Sequence, residues 1–93
     1  SNASAPPAPN AGTDASYCVG DVMLDLTVTG TTGTFTWYSD AALTTSIGTG
    51  ASLTPGTTVG ATIYYVTETL AGCESPASSV TITITVCCDL TVS

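Results

Sequence analysis

The sequence predicts an all-β chain folded as a sandwich of about seven short antiparallel strands. Three observations point there. In "SVTITITV", Val80, Ile82, Ile84 and Val86 fall on one face of an extended chain, and Thr81, Thr83 and Thr85 fall on the other. The same alternation runs through "DVMLDLTVTG", with Val22, Leu24, Leu26 and Val28 on the apolar face. Glycine-containing turns ("TGTTG", "IGTG", "TPGTTVG", "LAGCESP") divide the rest into short segments, and no stretch shows a helical apolar period. One-sided alternation of this kind marks half-buried antiparallel strands.

Taken in order, Ser1-Asn2-Ala3 resembles the remnant of a cleaved tag, so residues 1–3 are set apart and the chain is expected to be a piece of a longer secreted protein. Residues 4–16, "SAPPAPNAGTDAS", are rich in Pro, Ala and Ser and have little to bury; they read as an inter-domain linker or a short edge strand. The folded body is expected over residues 17–87. Its first long strand covers 22–28, shorter strands lie near 33–39, 42–47, 51–54 and 61–69, and the last covers 80–86. Residues 88–93 read as a tail or the opening of a further module, because Asp89-Leu90-Thr91-Val92 repeats Asp25-Leu26-Thr27-Val28.

Composition removes whole classes of function. The 93 residues include seven acidic side chains and no Lys, Arg or His, for a net charge of -7. Binding of nucleic acid relies on cationic side chains neutralising phosphates, so it is excluded, and anionic lipid headgroups are repelled as well. Without His or Lys there is no base poised near neutral pH, and no Ser-His-Asp or Cys-His arrangement can be assembled. A glycosidase-like carboxylate pair needs a cleft that a sandwich this small hardly has room for. The chain is therefore expected not to be an enzyme, with no catalytic residue and no cofactor. No apolar run approaches the ~20 residues of a membrane helix, so no direct membrane insertion is expected.

Four cysteines without the paired spacing of a zinc site point to disulfides and an oxidising compartment. Cys18 precedes the first long strand and Cys73 follows "YYVTET". Paired, they close a loop of about 55 residues, which contributes roughly 4 kcal/mol on the loop-entropy argument. Cys87 and Cys88 are adjacent, and strand alternation points their side chains apart. Three readings stand for them: a vicinal disulfide, a bond between molecules, or partners in the next module, with the last preferred. The carboxylates raise a calcium reading, since that ion prefers hard oxygen ligands. Asp21 and Asp25 lie about 13 Å apart along a strand and cannot share an ion; a loop site drawing on Asp14, Asp40 or Glu74 stays open, and no metal ligand is assigned.

The runs "YCVGD", "WYSDAALTTSIGTGASLTPGTTVGATIYYVTET" and "AGCESPASSVTITITV" resemble the immunoglobulin-like modules strung in series through surface and secreted adhesin-type proteins of Bacteroidetes. The shared skeleton covers residues 17–86: Cys-x-Gly, Trp-Tyr, a Gly followed by Leu-Thr-Pro-Gly, Tyr-Tyr-Val, and Gly-Cys-Glu-Ser. The resemblance implies that Trp37 on strand C packs in the core, beside Phe35, with Tyr64 and Val66 turned the same way. Val66 stands where an antibody domain has its second cysteine, which implies apolar packing in place of the inter-sheet bond and a Cys18–Cys73 bond closing one end.

Alternation then turns Tyr38 and Tyr65 outward on neighbouring strands, as a candidate ligand platform or as ordinary cross-strand pairing. The function expected is that of a non-catalytic module of an extracellular or bacterial cell-surface protein, acting in adhesion and as a spacer. The alternative is a carbohydrate-binding module of a polysaccharide-degrading enzyme, with Tyr38 and Tyr65 as the platform. The expected partners are neighbouring modules of the same chain, then another surface protein or a glycan.

Overall fold

The computed structural model describes residues 6–87, and among these there are only strands, turns and loops. Eight strands form in order: β1 (Ala15–Cys18), β2 (Leu26–Thr27), β3 (Thr34–Tyr38), β4 (Ser46–Thr49), β5 (Ser52–Leu53), β6 (Gly60–Leu70), β7 (Cys73–Glu74) and β8 (Ser78–Thr85). Six of them make one sheet in the order β1-β8-β6-β3-β4, with β7 folded back on the end of β6, and β2 and β5 make a small second sheet. The sheet is mixed. β1 runs parallel to β8, with Ala15 opposite Ile82 and Cys18 opposite Thr85, which corrects the expectation of antiparallel strands throughout.

Period-two alternation fixes the faces. Trp37 lies opposite Val66, and Tyr64 opposite Val80, so these side chains share the inner face of the large sheet. Leu26, Val28 and the partly buried Leu53 cover them from the small sheet. Trp37 is fully buried, as expected, and its indole N–H donates to the Gly50 carbonyl at 2.9 Å. Val66 is equally buried against it, so apolar packing does occupy the place of an inter-sheet bond.

The segment from Pro9 to Asp14 is packed on the body. Asn10 exchanges backbone hydrogen bonds with Thr29, Ser78 donates its hydroxyl to the Pro9 carbonyl, the Asp14 carboxylate accepts from the Thr81 amide, and Ala11 joins the core. The core thus starts before residue 17.

Three strand expectations need correction. Only Leu26–Thr27 of the 22–28 segment is strand, and Val22 and Leu24 are 90% and 72% exposed. The N-terminal segment pairs at Thr29 and then crosses to β8, while the partner β5 ends at Leu53, two residues before Pro55, so residues 22–25 have no ladder to join. Val86, expected inward, is exposed because β8 ends at Thr85. The strand placed near 42–47 begins only at Ser46, since Asp40 closes a turn by accepting from the Thr44 and Thr45 amides and the Thr44 hydroxyl.

Candidate functional site

The outer face of the large sheet carries the two tyrosines expected there. Tyr38 and Tyr65 sit directly opposite each other across β3 and β6, both half-buried. Beside them the β6–β7 hairpin brings Glu74 over the sheet. Its Oε2 accepts from the Tyr38 hydroxyl at 2.7 Å and from the Thr67 hydroxyl at 2.6 Å, and Thr67 is fully buried beneath. The Thr67 and Tyr38 hydrogen bonds hold the Glu74 carboxyl below its ordinary pKa. In return, the Glu74 carboxylate raises the Tyr38 phenol, since a phenolate there would lose its acceptor and face a like charge. The result is a fixed aromatic pair with one carboxylate, ringed by hydroxyls and lacking any cation.

Glu68 was missed as a structural residue by sequence reasoning. It shares the inward phase of β6 with Tyr64 and Val66 and is fully buried opposite Phe35. With no cation in the chain, its charge is met by hydrogen bonds alone. Thr31 donates its amide at 3.1 Å and its hydroxyl at 2.6 Å, and the Gly33 amide donates at 2.7 Å. The "TGTTG" turn wraps this carboxylate so closely that a Cβ on Gly30 would stand 2.5 Å from Glu68 Oε1, and one on Gly33 would stand 2.4 Å from the Thr69 carbonyl oxygen. The available signal was a Glu on an apolar face paired with a Gly-x-x-Gly turn.

The Thr31 hydroxyl foremost, then the two amides, keep the Glu68 carboxyl below the ordinary glutamate value against the opposing effect of burial. Its stabilising effect is thus fully present above the ordinary glutamate value and is lost as pH falls through the lowered folded value. Urea unfolding of the wild type and Glu68→Gln is expected to show a wide stability gap at pH 7 that narrows at pH 3. A gap independent of pH would mean that the turn does not depend on the charge.

The cysteines are arranged differently from the expectation. Cys18 is bonded to Cys87, with Cα atoms 5.3 Å apart, which overturns both the Cys18–Cys73 pairing and the reading of Cys87 as a partner of the next module. Register explains it. Cys18 lies opposite Thr85, two residues from Cys87, whereas Cys73 pairs with Leu70 at the other end of β6, ten residues or about 33 Å from Gly60 near the disulfide. Cys88 lies outside the described residues.

For a metal, Asp14, Asp40 and Glu74 do not converge: Asp14 accepts from the Thr81 amide, Asp40 from its own turn at Thr44, and Glu74 from Thr67 and Tyr38. Among the described residues no group of three acidic or cysteine side chains comes together to hold an ion. One open groove, about 290 Å³, lies where the N-terminal segment leaves Thr29 for β8; Ala11, Ala15, Tyr17, Leu24, Leu26 and Ile82 wall it, with Asp25 at the rim. Its walls mix these apolar side chains with Thr13, Thr27 and Asp25 and offer no converging acid, base or nucleophile.

A family model described as "Ig-like domain CHU_C associated" matches residues 6–86. The chain belongs to this Ig-like family. The match includes the Pro-rich stretch that the sequence assigned to a linker, in keeping with the packing of Ala11 in the core. Comparison of this Ig-like module with curated proteins finds no match. The family supports a non-catalytic module and the sandwich fold; its mixed large sheet and short second sheet are how this member builds it.

Proposed function

We propose that this Ig-like module belongs to an extracellular or bacterial cell-surface protein, where it spaces and presents neighbouring domains and takes part in adhesion. One observation carries the reading. Pro9 sits beside Ser78, at the start of β8, and Cys87, the last described residue, lies just past its other end. β8 between them spans roughly 23 Å, which puts the two points at opposite poles of the sandwich. Modules with that geometry stack end to end, each adding its length. The disulfide fits an oxidising setting outside the cytoplasm.

The carbohydrate-binding alternative is favoured by the facing Tyr38 and Tyr65 with Glu74 at their side. A sugar ring needs an aromatic surface and a fixed acceptor, and this face offers both. Two measurements separate the readings. In small-angle scattering, chains of two and three modules are expected to lengthen in proportion to module number. Calorimetric titration with cellulose, xylan, chitin and mannan fragments is expected to give no heat, and Tyr38→Ala or Tyr65→Ala to cost only ~0.2–1 kcal/mol of stability. Saturable binding to one glycan, abolished by either substitution, would make this a carbohydrate-binding module instead.

A further inference from the structure

We propose that the Cys18–Cys87 bond makes this module an inextensible, load-bearing link, in which tension along the chain passes through the disulfide and bypasses the folded body. The inference deepens the spacer reading and rests on it in one respect: a spacer is a module pulled from both ends.

The force path follows from the topology. A pull from the N-terminal side arrives at Pro9 and travels along Asn10–Cys18, beside β8, to the disulfide. From Cys18 it crosses to Cys87 and continues along the chain that follows, without entering residues 19–86. The intervening stretch, a sequence separation of 69 that includes the Trp37 core, Glu68 and the Tyr38–Tyr65 face, lies on a closed loop whose ends are 5.3 Å apart. Its backbone cannot be lengthened while the bond holds, and what load reaches it comes through the contacts of residues 10–18.

The remaining slack is small. The nine residues from Pro9 to Cys18 already span about the length of β8, so pulling them straight adds on the order of 10 Å. Even that requires breaking the Asn10–Thr29 pair, the Thr81–Asp14 hydrogen bond and the four-residue parallel ladder of β1 on β8. Because β1 and β8 are parallel and are drawn from opposite ends, the ladder is loaded in shear, with its hydrogen bonds resisting together. Once the bond is reduced, the whole loop becomes extensible and releases about 240 Å. The outer face, with Tyr38, Tyr65 and Glu74, therefore keeps its shape in a chain under load.

The test is single-molecule pulling of tandem repeats of the 93-residue chain between marker domains, with and without a thiol reductant. Wild type is compared with a Cys73→Ser, Cys88→Ser variant in which Cys18 and Cys87 have only each other. Oxidised chains of both are expected to show no step near 240 Å, and reduced variant chains to show one such step per module. Long steps from the oxidised variant overturn the proposal. Should the variant not fold, oxidised wild type decides: peptide mapping must find Cys18 joined to Cys87, and either its absence or long steps with the bond mapped overturn the proposal. The two readings fail separately. Compact tandem chains in scattering would end the spacer reading and leave the bypass standing, whereas long oxidised steps would end the bypass alone.

Discussion

Trp37→Ala is expected to leave the chain at the edge of unfolding. Trp37 is fully buried, lies opposite Val66 at the centre of the large sheet, and touches the layer formed by Leu26, Val28 and Leu53. Removing a buried indole typically costs about 3–5 kcal/mol, the transfer free energy plus the cavity left behind. A domain of this size has in total on the order of 0.05–0.15 kcal/mol per residue, so the loss consumes most of what is available. The indole also donates to the Gly50 carbonyl, where the chain passes from β4 to β5 and so from one sheet to the other. Its loss removes both the plug and the tie between layers. Trp37→Phe restores most of the apolar volume without that hydrogen bond and is expected to fall in between. Urea unfolding followed by far-UV circular dichroism orders the three chains, and a drop of less than ~1 kcal/mol for the alanine variant would show that the core closes without Trp37.

Trp37 was legible through the Ig-like resemblance, which turns the Trp of strand C inward, together with an alternating segment that puts Phe35 on the same face. The strand over 78–85 was readable because its Val and Ile alternate with Thr without interruption. Residues 22–25 show an equally clean alternation yet remain outside any sheet. Alternation reports which face a strand would bury, but it cannot report whether a partner strand is present. The parallel pairing of β1 was hidden too, because its four residues carry no periodic signal and gain their place from Asp14, Asn10 and the ladder on β8.

The site divides in a similar way. That Tyr38 and Tyr65 face outward followed from period two, and that their strands are neighbours followed from the Ig-like resemblance; their direct opposition comes from the register of β3 on β6. The grip of Glu74 on Tyr38 was beyond reach, since it depends on how the β6–β7 hairpin folds back over the sheet. Glu68 shows the limit most clearly. A carboxylate on an inward position contradicts simple patterning, and only the turn made by Thr31 and Gly33 makes it tolerable. The disulfide error came from reading closeness of function into sequence position. Cys73 and Cys18 both flank core strands, but they flank opposite ends.

Opening the Cys18–Cys87 bond is expected to lower equilibrium stability by roughly 4 kcal/mol, because a bridge across a sequence separation of 69 removes that much loop-closure entropy from the unfolded chain. The loss falls on the pole least able to absorb it. Val19, Val22, Leu24 and Val86 are 55%, 90%, 72% and 70% exposed, so little apolar burial holds this end together. What remains there is the hydrogen bond from the Val19 amide to the Thr85 carbonyl and the short ladder of β1 on β8. A Cys18→Ser, Cys87→Ser chain is therefore expected to fail in a graded manner. In hydrogen exchange, amides of β1 and Val19 lose protection first, while those of β3 and β6 around Trp37 keep it until global unfolding. The urea midpoint should fall with little other change at the Trp37 core. Uniform loss of protection across the sheet would show instead that the disulfide end and the aromatic core unfold as one unit, and that the bond supports the whole sandwich rather than its exit pole.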